Sequence, residues 1–474
     1  MYDLLFIIII IVQLIIFIYF LILNSTYTLF TFFALSDIIR REVHSSRFRL
    51  QQTLSTSFYR PISLIVPAYN EQATIVSSIR SQLALHYPEF EIIIVNDGSN
   101  DETVKRLIDA FDFIPIEKPI KLEIDHQQIQ QIYISLQNPN LWLIDKNNGG
   151  KFDAINCGIN VCNYPLFCVV DADSLLEYDS LLRAGSMFAH DKEVVAVGGT
   201  VRPLNGCEIL NGQVITIKTP RKWIELFQSV EYTRGFLAGR SAWNLFDALL
   251  IISGAFGIFR KDIVLKIGGY RHTVGEDMDL VVRIHRHCID NAIPYKILSI
   301  PDPICWTQVP DDWISLMKQR NRWHRGLIDV LWYNKIMIFN PKYGKVGTLG
   351  MTYFLFVEAL GPTIELVGYI SFFIFYFFGL IDRQIGIYIF LFAFTWGVYI
   401  TLSSIFLDNF IHKRYSNTKD LFKLSFFGIL ESIGYRQLMT IERFIATFQF
   451  WRKGWGKIIR KEITILPQSV KNDL

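Results

Sequence analysis

Apolar positions along this chain follow two regimes. Residues 4–35 contain no Lys, Arg, Asp or Glu. That run exceeds the roughly 20 residues needed to cross a bilayer, and it predicts one long membrane helix with Asn24 and Ser25 near its middle or outer third. Two shorter helices broken there are the lesser alternative. A cleaved leader is disfavoured: the run is too long, no basic residues precede it, and it lacks a small-residue cleavage site.

From Ile62 the pattern changes to short apolar runs between polar, helix-compatible segments. Residues 62–67, 91–99, 141–145 and 167–173 read as strands, with helices over 73–85 and 103–111. Such alternation predicts a doubly wound, mostly parallel α/β sheet whose ligands lie beyond the carboxyl ends of the strands. Asn70, Asp97, Asp145, Asp171 and Asp173 all fall at those ends. Phe167-Cys168-Val169-Val170 has no polar break, as expected of a strand buried on both faces. It runs into Asp171 and Asp173, which an extended strand would direct to one side. Two convergent carboxylates suit a hard cation that itself holds phosphate oxygens, although Asp is also common in plain strand-end turns.

Beyond residue 330 the apolar runs return. Residues 349–361 read as an interfacial helix and a span begins at Pro362, a favourable first helical position. Residues 385–407 form a cleaner span. Residues 421–450 are broken by Glu431, Arg436, Glu442 and Arg443 and are expected at the interface. Arginines at 40, 41, 47, 49 and 60, with a basic tail at 452–461, place the central domain and the tail in the cytoplasm. The expected organisation is a membrane helix (1–36), a basic linker (37–60), a catalytic domain (61–330), interfacial helices (331–361), two spans (362–410) and an interfacial, basic tail (411–474). It describes a multi-pass protein of the plasma (inner) membrane.

Composition adds less. The 474 residues carry a formal net charge of +3, which implies no nucleic-acid partner. Six cysteines form no C-x-x-C pair, which fits a reducing compartment.

Four further stretches carry candidate chemistry. Gly149, Gly150 and Lys151 read as a diphosphate cradle or as a plain loop, and the spacing is not that of a Walker A motif. Residues 251–260 read as a small-residue strand in which Ser253 and Gly254 leave room for substrate. Glu276, Asp277 and Asp279 stand in the first turn of a predicted helix, where they serve as caps or supply a general base. Gln319, Arg322 and Trp323 share one helix face, joining an amide, a guanidinium and an aromatic plate. A basic helix lying on the membrane, with Lys318, Arg320 and Arg325, fits the same stretch.

Taken in order, V-P-A-Y-N-E (66–71), N-D-G-S (96–99), K-x-x-A-I-N (151–156), D-A-D (171–173), G-E-D (275–277) and Q-x-x-R-W (319–323) resemble the inverting, membrane-integrated family 2 glycosyltransferases. That group includes the cellulose, hyaluronan and poly-N-acetylglucosamine synthases. Each motif is weak alone and the ordered set is strong. The resemblance covers residues 61–330 and implies a GT-A fold. It also implies a UDP-sugar donor held by Pro67, Tyr69, Asn70, Glu71, Asp97, Lys151, Asn156 and Asp171. Asp171 and Asp173 would hold Mg²⁺ or Mn²⁺, and Asp277, with Glu276 beside it, would be the base. Ser253, Gly254, Gln319, Arg322 and Trp323 would meet the diphosphate and a polysaccharide or lipid-linked acceptor. No F-x-V-T-x-K gating loop and no R-x-x-x-R module is found. Three spans are few for a self-contained channel, so an export partner is expected. Two other readings stay open: single-sugar transfer to a lipid phosphate, and a non-enzymatic receptor or scaffold on a transferase fold.

Overall fold

A computed structural model of the chain describes residues 2–52, 59–210, 212–412, 415 and 417–451. The basic tail from Arg452 onward lies outside them. Helix α1 (Tyr2–Gln52) carries its backbone through the region where a linker is expected. Strands and helices then alternate: β1 (Ile62–Ala68), α2 (Ile75–Leu83), β2 (Phe90–Asp97), α3 (Thr103–Phe111), β3 (Phe113–Ile116), β4 (Ile129–Ser135), β5 (Leu141–Lys146), α4 (Lys151–Val161) and β6 (Leu166–Val170). After β7 (Leu175–Leu176), α5 (Ser180–His190) and β8 (Val194–Pro203) comes a small hairpin, β9 (Glu208–Leu210) with β10 (Gln213–Thr216).

Ten strands form one sheet in the order β3-β4-β5-β2-β1-β6-β11-β8-β12-β7, where β11 is Phe256–Arg260 and β12 is Lys296–Thr307. Only β4, β7 and β11 run against the rest. The central strands are apolar throughout because both faces are covered. Ile65, Ile93, Val95, Ile144, Phe167 and Val169 enter one core, while Leu64, Val66, Ile92, Ile94, Cys168 and Val170 enter the other. β1 lies between β2 and β6, so chain order reverses there and a crevice opens above the carboxyl ends of these strands. This is the doubly wound, mostly parallel α/β sheet that the alternating pattern predicts.

Two expected strands end early. β6 stops at Val170, and the Ser174 amide donates to the Asp171 carbonyl at 3.0 Å. Asp171 and Asp173 therefore lie in a turn rather than on one face of a strand. The Asp171 carboxylate is a quarter exposed, whereas Asp173 is buried. Likewise only Phe256–Arg260 is extended, because the Phe256 amide donates to the Ser253 carbonyl at 3.1 Å and closes a turn at Ser253-Gly254.

The remaining helices cover the later part of the domain and the segments that follow it. α6 (Trp223–Thr233) runs into a π-helical segment, Arg234–Arg240, and α7 (Ser241–Leu245). α8 (Lys261–Lys266), α9 (Glu276–Asp290) and α10 (Trp313–Tyr333) follow. α11 (Gly361–Phe377) begins with Pro362 in its first turn. α12 (Arg383–His412), α13 (Thr418–Leu430) and α14 (Arg436–Thr447) complete the described chain. Among the described residues, Ile10–Ser36 and Arg383–Ile411 are long and apolar enough to cross a bilayer. Val346–Ala359 with Gly361–Phe377, bent by 40° between them, forms a third if the pair is one span. α13 and α14 meet at a kink where Gly434 takes a φ of 96°. There Glu431 is buried and its carboxylate receives both Arg234 terminal nitrogens at 2.8 Å, while α14 packs on α10 and α11.

Candidate active site

The crevice floor is built around a lysine that motif reading overlooks. Lys146, the last residue of β5, is fully buried and its ammonium lies 2.6 Å from Asp97 and 2.5 Å from Asp153. Asp97 ends β2 and also accepts from the amides of Gly149 (3.0 Å) and Gly150 (2.8 Å) and from the Asn148 side chain. A buried charge is tolerated only when paired and hydrogen-bonded, and this one bridges two carboxylates. Asp97 thus fixes the glycine loop that opens α4, and both of its oxygens are already engaged by the chain. Asn156 is similarly occupied: its amide donates to the Tyr270 carbonyl (2.9 Å) and accepts from the Tyr270 amide (2.7 Å), so it braces α4 against the 270 loop. In both side chains every polar atom already has a partner within the chain.

The first β-α loop is tied to the second. Asn70, at a φ of 56°, takes its amide to Ser99 Oγ and accepts from the Asn100 amide, both at 2.9 Å. The Glu71 amide donates to Thr103 Oγ1 at 2.9 Å. Pro67 is the last residue but one of β1, and Tyr69 is exposed.

Above this floor four separate segments converge. Lys151, opening α4, places its ammonium 2.5 Å from Asp171 Oδ1 and 3.9 Å from Glu276 Oε1. The Gly254 amide donates to Asp277 Oδ2 at 3.3 Å, and the Met278 amide to Asp277 Oδ1 at 2.8 Å. A Cβ on Gly254 would stand 3.1 Å from the Lys151 ammonium, so a larger residue would push the lysine tip back by a few tenths of an ångström. Burial pushes the Glu276 carboxyl up to about 7, with Lys151 opposing and Asp277 reinforcing the shift. Burial pulls the Lys151 ammonium down, but Asp171, Glu276 and Asp277 outweigh it and the net shift is upward. Asp279, the third acid of the turn, is fully buried against Arg283 at 2.7 Å and has a structural part.

α10 brings the remaining side chains. Arg322 lies close enough to lower the Glu276 pKa. Gln319 Oε1 is shielded from solvent with no hydrogen-bond partner among the described residues. Trp323 is 45% exposed, and the Arg320 guanidinium stacks 4.3 Å over its ring while donating to Glu231 at 2.7 Å. Arg320 and Arg325 are buried rather than turned to a membrane surface. What docks α10 on the acid turn is a glycine pair: a Cβ on Gly326 would meet the Gly275 nitrogen at 2.8 Å.

No group of three or more His, Cys, Asp or Glu side chains able to hold a metal occurs among the described residues. The donor set still fits a divalent cation, since Mg²⁺ is usually bound by one or two carboxylates with substrate phosphates completing its shell. Asp171 already receives a cationic group, the Lys151 ammonium.

These segments meet above the point where the strand order reverses. Residues 166–403 match the family model described as Glycosyl transferase family group 2, and residues 63–263 match Glycosyl transferase family 2. The chain belongs to the family 2 glycosyltransferases. It is 31% identical over 273 residues to a poly-beta-1,6-N-acetyl-D-glucosamine synthase of Staphylococcus epidermidis, covering 57% of this chain and 55% of that protein. To the synthase of the same name from Staphylococcus aureus it is 29% identical over 272 residues, with the same coverage. The chain thus spans about half the length of the curated relatives it matches. Among solved structures it is similar to the mannosyltransferase PcManGT of Pyrobaculum calidifontis in complex with GDP-Man and Mn²⁺. That likeness has a TM-score of 0.46 and 15% identity, over 87% of this chain and 99% of that one. Similarity to S. aureus TarS 1-349 has a TM-score of 0.37 and 14% identity, over 80% and 91% of the two chains.

Proposed function

We propose that the chain is an inverting transferase that moves a sugar from a UDP-sugar to a growing polysaccharide at the cytoplasmic face of the membrane. N-acetylglucosamine is the first sugar to test, given the names of the relatives. The observation that carries the reading is the convergence of Lys151, Asp171, Glu276 and Asp277 around Gly254. Asp277, held by two backbone amides, takes the proton from the acceptor hydroxyl. That oxygen bonds to the anomeric carbon from the face opposite the diphosphate, and the carbon–phosphate-oxygen bond breaks with its electron pair leaving on UDP. An α-linked donor thereby gives a β-linkage. Lys151 and Arg322 offset charge on the departing diphosphate. Mg²⁺ or Mn²⁺, held by Asp171 and Asp173, would supply further positive charge there. Trp323 offers its ring to the acceptor sugar.

The test incubates the purified full chain with labelled UDP-glucose, UDP-N-acetylglucosamine and UDP-galactose in turn, with and without EDTA. Polymer from one donor, lost in EDTA and in Asp173→Asn, is expected. Undiminished transfer in EDTA rejects the metal, and a single-sugar lipid adduct at every time and dose rejects chain extension.

A further inference from the structure

Several arginines of the domain and of the helices packed on it meet a carboxylate. Arg202 meets Asp408, Arg234 meets Glu431, Arg283 meets Asp279, Arg320 meets Glu231 and Arg443 meets Glu358. Arg240 differs. Its Nη1 is shielded from solvent and has no hydrogen-bond partner among the described residues. Its guanidinium lies instead 3.8 Å over the Phe236 ring, which is itself stacked on Tyr232 with centroids 5.6 Å apart. An aromatic plate orients a guanidinium through its flat face while leaving the in-plane N–H donors available.

The group whose charge Arg240 feels is the candidate base. Burial pulls its guanidinium down to about 10, against the opposing field of Asp277 and then Tyr232. Its position in the fold defines the side of approach. Arg240 closes the π-helical segment, an irregularity often found at functional sites, and that segment packs against α1 and α12. The segment therefore lies beside the candidate membrane helices, whereas Lys151 and Asp171 stand at the strand ends. A shielded guanidinium with unmade hydrogen bonds is costly unless a ligand completes them.

We propose that Arg240 is a further substrate-contacting residue, donating hydrogen bonds to oxygen atoms of the terminal acceptor sugar whose hydroxyl faces Asp277. The inference rests on the reading of Asp277 as base and of the acceptor as a sugar chain. It assigns Arg240 to acceptor recognition and leaves donor recognition to the opposite wall.

The test uses the full chain in lipid nanodiscs with UDP-N-acetylglucosamine. UDP release without added acceptor reports donor hydrolysis, and transfer to a short β-1,6-linked N-acetylglucosamine oligomer reports acceptor use. For Arg240→Gln, the donor KM and the hydrolysis rate should stay within about twofold, while the acceptor KM rises at least about tenfold, as expected for loss of a charge-assisted hydrogen bond. Arg240→Lys keeps a charge without the fork and should recover part of the loss. It also serves where the Gln variant fails to fold, with an acceptor KM above wild type and an unchanged donor KM expected. A raised donor KM with an unchanged acceptor KM would transfer Arg240 to the diphosphate and overturn the proposal, as would parallel losses in both or no change in either. Wild-type protein that transfers from none of the three UDP-sugars overturns the functional reading itself, which is a different result.

Discussion

Replacing Gly326 by alanine tests whether the contact between α10 and the acid turn sets the geometry of catalysis. The new Cβ would lie 2.8 Å from the Gly275 nitrogen, 2.9 Å from its Cα and 3.1 Å from the Val274 carbonyl carbon. All three are backbone atoms, so no side chain can swing aside. Ordinary carbon contacts are about 3.5–4.0 Å, and the two segments must separate by roughly 1 Å. Stability changes little, because two effects oppose. Alanine gains about 1 kcal/mol over glycine inside a helix, and overpacking costs about 1–3 kcal/mol. The net loss of about 0–2 kcal/mol should lower the unfolding midpoint by only a few degrees. Function should respond much more strongly, since a displacement of about 1 Å between Asp277 and the Arg322–Trp323 face can cost about 10²-fold in rate. The assay compares turnover, donor KM and thermal midpoint for Gly326→Ala and wild type. Turnover reduced about 100-fold with donor KM held is expected. Turnover within threefold of wild type would show that the glycine contact does not govern the site.

Other contacts in the fold lead to further expected outcomes. Lys146→Met leaves Asp97 and Asp153 buried without their shared cation, which should cost about 3–5 kcal/mol; a midpoint shift below about 3 °C would contradict that account. Glu276 binds its proton more tightly in the folded protein, near pH 7 against an ordinary value of 4.5, so the native state holds the extra proton across that window. Stability should therefore fall by about 3 kcal/mol as pH rises from 4.5 to 7, and Glu276→Gln should flatten this slope; parallel curves for the two proteins would reject it. A reporter fused after Leu474 should read the cytoplasm, and an external signal would mean that residues 421–440 cross the bilayer.

The central strands were legible because burial on both faces leaves an unbroken apolar run, as in residues 62–66 and 166–170. β11 was only half legible, since Ser253 and Gly254 have the small size expected of a packed strand yet form a turn. The same limit applies to Asp171 and Asp173: period-two reasoning holds while the chain is extended, and extension stops at Val170. The acids, Lys151 and the Q-x-x-R-W residues could be named because their motifs are local. Lys146, Gly326 and Arg240 could not. Their meaning depends on partners far along the chain, as with Lys146 and Asp97, 49 residues apart, and the same separation hid the bracing of Asn156 against Tyr270, 114 residues away. A lysine ending a strand or a glycine inside a helix has no signature of its own.

The pair between Arg234 and Glu431 has a consequence for how the protein comes into being. Arg234 leaves the ribosome 197 residues before its partner, and Arg202 precedes Asp408 by 206. The catalytic half is therefore translated long before the charges that complete it, and these belong to segments that reach their places only with the membrane helices. A chain ended after residue 330 is the check: it should neither transfer sugar nor unfold cooperatively, and an active fragment would disprove the dependence. The later helices, α12 to α14, are then expected to complete the catalytic half once they have been made.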